Sequence, residues 1–347
     1  MAALTPMPTP MMTAMPLPQS RGPLSEQIAL ALTGRGADLT ETLALAKTVA
    51  PSGLLLDEDA QIALLSMYEL HYRGLHGVSD NWEWDPDLLA VRAVLESRFE
   101  TEIRDRTCVP EVPRDGDIAQ ALFAMTAPQP GPSLSKYLAH RASVEQFQEF
   151  LVHRSIYHLK EADPHTWAIP RLGGSVKAAL VEVQADEYGG GRAERMHASL
   201  FARTMRALGL DDSYGRYVDR VPAAVLAGVN AMSMFGLHRR LLGAIVGHLA
   251  AFEMTSSLPN RWYGNGLRRL GYDTNATLFF DEHVEADAVH EQIAGRDLAG
   301  GLAREQPERA RNILFGAASG MMLDGLAADH LLSCWDAGNS SLLPESQ

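Results

Sequence analysis

Apolar residues along this chain recur every three or four positions and almost never alternate, which is the pattern of amphipathic helices rather than half-buried strands. Four helical segments are predicted before residue 110: 25–35, 39–50, 56–75 and 85–104, with Ser25, Thr40 and Asp57 as N-caps. After a loop around "VPEVPRDGD", the stretch 133–167 predicts one helix to about residue 144 and a second to about 163, which Pro164 ends or bends. The segment 222–254 reads as one or two long apolar helices, hence buried, and 307–336 as a final buried helix. Helix 274–294 carries its polar groups on one stripe. The fold class is therefore all-α.

Composition narrows the class. At 347 residues and 46% hydrophobic content the chain can bury a large core. A formal net charge of −13 with no Lys/Arg cluster argues against nucleic-acid binding. Cys108 and Cys334 are far apart and form no CxxC, so they read as reduced thiols of a cytoplasmic protein. No run of about 18 apolar residues is present, and no membrane span is expected. The proline- and methionine-rich start lacks a charged n-region. Residues 1–22 are expected to be a disordered tail rather than a signal peptide, followed by a helical extension at 23–112 and a main domain at 113–340.

The candidate chemistry lies between residues 158 and 290. "EVQADEYGGGRAERMH" puts three glycines inside a helical pattern, where each costs about 1 kcal/mol relative to Ala. If the helix keeps register across them, Glu187 and Glu194 lie about 20° apart and His197 about 60° further on, so all three share a face. In "HVEADAVH", His283, Asp287 and His290 fall within an arc of about 60°, a metal half-site rather than the plain solvated stripe formed by Glu282, Glu285 and Glu291. "YHLKEADPHTW" adds Glu161 as a bridging carboxylate, with His158 and His165 as supporting histidines and Glu149 a weaker rival. Glu161, Glu187, Glu194 and Asp287 would balance the +4 of two Fe(II) ions, with His197, His283 and His290 as neutral ligands, so the cluster could be buried with a reduced desolvation cost. Carboxylate and imidazole donors suit iron or manganese. His238 and His248 read as core or pocket-lining groups. No GxSxG elbow, Walker loop or dinucleotide fingerprint is present. No catalytic residue beyond the metal ligands is expected.

Taken together, "KEADPHTW", "EYGGGRAERMH" and the H-x3-D-x2-H of His283, Asp287 and His290 resemble the haem-oxygenase-like diiron oxidases and oxygenases, over roughly residues 130–335. The resemblance implies a haem-oxygenase-like helical bundle that binds two Fe2+ ions and no haem. It implies O2 as co-substrate, an external electron donor and a small-molecule, natural-product-type substrate. Members of the family hydroxylate amine nitrogens, desaturate or cleave amino acids, or release alkenes from fatty acids. An additional carboxylate, here assigned to Glu194, is similar to the pattern of the N-oxygenating members and makes N-oxygenation of an amine or amino-acid-derived substrate the leading expectation. Desaturation or cleavage of an amino-acid or acyl substrate is the alternative. A ferritin-like diiron bundle and a non-catalytic all-α binding protein are further rivals. Arg195, Tyr157 and Tyr188 are expected to orient ligands, the glycines to let the helix close on metal, and the extension to support a homodimer.

Overall fold

The computed structural model describes residues 14–128 and 131–345, without the side chains of 285–288. Most of the described residues are helical. Among the described residues there is no strand, only an isolated bridge between Met15 and Leu75.

The extension comprises the helices Pro23–Leu32, Leu39–Ala46, Glu58–Glu69 and Pro86–Arg106. Asp57 caps Glu58–Glu69 by accepting from the Ala60 amide at 3.0 Å. The other two expected caps are corrected. Asp38 rather than Thr40 caps the second helix, its carboxylate accepting from the Thr40 amide at 2.7 Å. Ser25 lies inside the first helix, and Asp59 of a neighbouring helix receives the Leu24 and Ser25 amides at 2.8 and 2.7 Å. That carboxylate satisfies two orphan N–H groups and faces the positive end of the helix dipole.

Of the expected disordered tail, residues 1–13 lie outside the described residues, whereas 14–22 are tied down. Met15 is buried, its amide donates to the Gly74 carbonyl at 3.0 Å, and Arg21 donates to the carbonyls of Val218 and Val221. A buried methionine and a guanidinium that collects two carbonyls overcome the low helical and strand propensity of the segment.

The main bundle is organised around Leu242–Arg269, which packs against Leu134–His140, Thr274–Gln292 and Ala310–Asp336. By length and composition this helix could cross a bilayer, which amends the expectation that no stretch is long and apolar enough, but 67% of its most apolar window is buried inside the fold. Its closest neighbour is reached through glycine. A Cβ on Gly247 would fall on the Ile313 carbonyl oxygen, and one on Gly316 would fall on the Ala244 carbonyl oxygen. The two helices therefore touch backbone to backbone at two reciprocal points, and each glycine can only be glycine.

This contact makes an energetic prediction. Gly247→Ala should destabilise the fold by on the order of 3 kcal/mol, because neither facing backbone can yield without moving a whole helix. Gly325→Ala, in the same Ala310–Asp336 helix but with open space around its Cβ position, should stabilise by about 1 kcal/mol. Chemical denaturation of both variants reads the opposite signs.

Candidate metal centre

The first donor comes from a strained turn. Val144–His158 starts at a capping box made by Ser143 and Gln146 and stops at His158. Glu161 follows on a short connection in which Ala162 takes a left-handed φ of 72°. A non-glycine residue there costs on the order of 1–3 kcal/mol and persists only when its surroundings enforce it. Here they do so from the extension. The Arg73 guanidinium donates to the Leu159 carbonyl at 2.9 Å. Lys160 and Glu69 form an ion pair at 2.8 Å with side chains 1% and 0% exposed, and the ammonium sits 4.1 Å from the centre of the Tyr72 ring. Tyr214 donates to the other Glu69 oxygen at 2.5 Å, and Tyr188 donates to Asp163 at 2.8 Å. The Glu161 carboxylate so placed accepts from His158 Nδ1 at 2.8 Å.

Glu187 is the last residue of the helix Gly174–Glu187, and His197 is the first of His197–Ala207. The expected near-continuous helix between them is corrected. Gly189, Gly190 and Gly191 all adopt positive φ, at 63°, 60° and 78°, and the chain continues through two 3-10 turns. In a continuous helix ten residues would separate Glu187 from His197 by about 15 Å. Instead Glu187 Oε2 lies 3.0 Å from His197 Nδ1. The glycines fold the chain back so that two helix ends deliver ligands to one point. At Gly189 the approach is also steric, since a Cβ there would sit 2.6 Å from the Arg195 carbonyl carbon and the Met196 nitrogen.

Thr274–Gln292 brings His283 and His290 on its buried face. A carbonyl fixes one ring and a carboxylate the other. His283 Nδ1 donates to the Phe279 carbonyl at 2.8 Å, which turns Nε2 towards Glu161 Oε1 at 3.6 Å. His290 Nε2 donates to Asp186 at 2.9 Å, which leaves Nδ1 facing Glu253 Oε2 at 3.3 Å. Such partners set the tautomer of a metal-ligating imidazole. The helix runs on directly into a π-helical turn, Ile293–Ala299.

Two donor groups result. One atom from each of Glu161, Glu187, His197 and His283 lies within 4.8 Å of the others, and the same holds for Glu187, Glu253 and His290. Glu187 belongs to both. The residues fit metal ions by their chemistry and by what they lack. All are carboxylates and imidazoles, and the buried atoms Glu161 Oε2, His197 Nδ1 and His290 Nδ1 have no hydrogen-bond partner. Glu161, Glu187, Glu253 and His283 line a cavity of about 40 Å3, room for two or three water-sized groups.

The remaining expected ligands stand apart. Glu194 is exposed on the 3-10 turn Ala193–Arg195, together with Arg195, because the glycine fold-back removes it from the helix face it was expected to share. Asp287 belongs to the same helix as His283 and His290, but its side chain lies outside the described residues. Glu253 was missed by sequence reasoning. Its signal is an acid in the apolar run "HLAAFEM" that is only 6% exposed. Its partner His290 sits on another helix, so spacing within its own helix cannot reveal it. Glu149 instead accepts from Trp335 and Ser341, and His165 pairs with His248 at 3.1 Å. His238 is bound to Glu96 at 2.8 Å.

Electrostatics tie these donors together. Burial alone would raise the Glu161 pKa, but His158 and His283 outweigh it and hold the carboxyl well below the usual range. Burial raises the Glu253 pKa. Burial would lower the pKa of His290, yet Glu253 and Asp186 carry it up to about 9. At pH 7 the imidazole therefore holds a proton that a metal ion must displace. Metal uptake at the Glu187, Glu253 and His290 group should release about one proton, and its affinity should fall as pH drops from 9 towards 6. Calorimetric titration of Fe(II) in buffers of different ionisation enthalpy checks both. Gly189→Ala should weaken binding at the Glu161, Glu187, His197 and His283 group by roughly 10–100-fold by displacing His197. Gly190→Ala, with nothing within 4 Å of its Cβ position, should cost about 1–2 kcal/mol of stability and leave metal affinity unchanged in anaerobic titration.

The sequence profile of the iron-containing redox enzymes matches residues 148–325, just over half of the chain. The nitrosourea synthase of Streptomyces achromogenes subsp. streptozoticus is 30% identical over 138 residues, 39% of this chain and 29% of that protein, so the match spans less than a third of the relative's length. The matched profile covers Glu161, Glu187, His197, Glu253, His283 and His290, and the chain belongs to the haem-oxygenase-like family of iron-containing redox enzymes.

Proposed function

We propose that the protein is an O2-activating diiron enzyme of natural-product metabolism that oxygenates an amine nitrogen. Two donor groups joined by Glu187 provide for two ions. Charge supports the same stoichiometry. Glu161, Glu187 and Glu253 bring −3 among the described residues, and with Asp287 as the ligand that the sequence pattern predicts the sum would be −4, which balances two Fe(II) ions. Bound iron would supply the reductive activation of O2. Hydroxylation of an amine consumes O2, two electrons from an external donor and two protons, and yields one N–O bond and one water.

The observation that carries the N-oxygenation reading is Glu253. The N-oxygenating members that the sequence resembles have one carboxylate beyond the usual ligands, on the second ligand helix; Glu253, a buried carboxylate beside His290, comes from a different helix, Leu242–Arg269, and would supply that additional negative charge from there. The name of the similar nitrosourea synthase points to a product with an oxidised nitrogen, which favours the same chemistry here. Tyr157, Phe252 and Phe279 line the cavity and restrict the access of bulk water to the reacting atoms.

Incubation of the Fe(II)-loaded protein with a library of primary amines, a chemical reductant and 18O2 tests the reading. Hydroxylamine products carrying one 18O atom are expected, with Glu253→Gln lowering their yield at least about tenfold. Exclusive formation of alkene or carbonyl fragments would instead assign desaturation or cleavage.

A further inference from the structure

Hydroxylation of an amine by O2 takes up protons, and the aromatic side chains around the metal cavity keep bulk water from supplying them freely. Two of these side chains, Tyr157 and Phe252, also line a second cavity of about 70 Å3, with room for roughly five water-sized groups. That cavity meets solvent where Arg154 donates to Asp324 at 2.9 Å, the two side chains being 25% and 54% exposed.

A pair of histidines spans the wall between the cavities. His165, on the short helix Asp163–Thr166, lines the metal cavity, and His248, inside Leu242–Arg269, lines the second. His165 Nε2 and His248 Nδ1 face one another at 3.1 Å. Both residues are buried, and neither belongs to the metal-donor groups. His165 Nδ1 is buried without a hydrogen-bond partner, a state that typically costs about 1–3 kcal/mol. Gly320 leaves space for the other ring, since a Cβ there would lie 2.8 Å from His248 Cδ2 and 3.3 Å from Nε2. Burial lowers the pKa of His248 to about 4, and burial with His248 alongside lowers that of His165 well below the usual value, so both rings are neutral at pH 7. A neutral imidazole has one donor and one acceptor nitrogen, which lets it take a proton on one side and give one up on the other.

We propose that His248 and His165 relay protons from the second cavity into the metal cavity. With the hydrogen of each ring on Nδ1, His248 donates to His165, and the partnerless His165 Nδ1–H is left as the donor on the metal side. A proton from water in the second cavity binds His248 Nε2. His248 Nδ1 passes its proton to His165 Nε2, and His165 Nδ1 releases its own. N–H bonds form at the two Nε2 atoms and break at the two Nδ1 atoms. No electron moves, and the pair ends uncharged with its hydrogen bond reversed. Rotation of the rings resets it. Two passages supply the two protons taken up for each O2, while the external donor supplies the two electrons. The relay rests on the proposed O2 chemistry but not on the identity of the amine.

Two measurements test it. The first needs neither metal nor turnover. In the metal-free, full-length chain with 15N-labelled histidine, NMR at pH 7 should show both rings neutral and a scalar coupling between His165 Nε2 and His248 Nδ1, lost in Gly320→Ala. Charged rings or an absent coupling in the parent would overturn the relay. The second follows Fe(II) oxidation by O2 in the iron-loaded protein without amine. His165→Gln and His248→Asn keep a hydrogen-bonding atom near each facing nitrogen but cannot pass a proton through the side chain. Each should slow oxidation at least about tenfold while anaerobic iron uptake and thermal melts match the parent. In His248→Ala, imidazole should restore the rate and 1-methylimidazole, which has no N–H, should not. Parental rates in the folded, iron-loaded variants, or equal rescue by the two imidazoles, would overturn the relay alone. A parent that does not react with O2 would overturn the proposed function and the relay together, whereas rapid oxidation without hydroxylamine products would count only against the amine as substrate.

Discussion

A cluster of carboxylates buried in an apolar helical bundle must be neutralised, and the architecture around residue 187 answers that demand. Glu187 is shared by both donor groups, so each group depends on the other for a ligand and for compensating charge. Its position at a helix end matters as much as its chemistry. The helix stops there, three left-handed glycines turn the chain, and the next helix begins with His197 at 3.0 Å. Glu161 is likewise delivered just beyond a helix end. By contrast, Glu253, His283 and His290 come from helix interiors, where direction is fixed by packing. The centre therefore combines rigid donors from Leu242–Arg269 and Thr274–Gln292 with donors on turns that must themselves be held.

The extension does much of that holding, although the matched family segment begins only at residue 148. Glu69 and Arg73 reach the two residues immediately before Glu161, through a fully buried ion pair with Lys160 and a hydrogen bond to the Leu159 carbonyl. Loss of one partner of such a pair leaves a buried charge uncompensated, which typically costs about 3–5 kcal/mol. The extension is thus energetically part of the site. The strained φ of Ala162 sits at the focus of these contacts, beside the ligand it positions.

Much of this was legible in sequence for identifiable reasons. The helices follow from a three-to-four-residue apolar rhythm, and the joint placement of His283 and His290 follows from seven-residue spacing on an uninterrupted helix. The proximity of Glu187 and His197 was expected for the wrong geometric reason. Register across a helix was assumed where a glycine fold-back operates, and the same assumption made exposed Glu194 look like a ligand. Glu253 was illegible because its meaning depends on a crossing between two helices, which no local periodicity encodes. Glu69 and Lys160 were illegible for the same cause, being 91 residues apart. Residues 14–22 read as disordered from composition, whereas tertiary hydrogen bonds and one buried methionine order them.

The central claim is that Glu187 joins two metal ions. Anomalous diffraction at the iron edge, from crystals grown anaerobically with Fe(II), measures this directly. The account predicts two iron peaks about 3.5–4 Å apart, both ligated by Glu187, one with Glu161, His197 and His283 and the other with Glu253 and His290. A single peak, or two peaks of which either lacks Glu187, would contradict it.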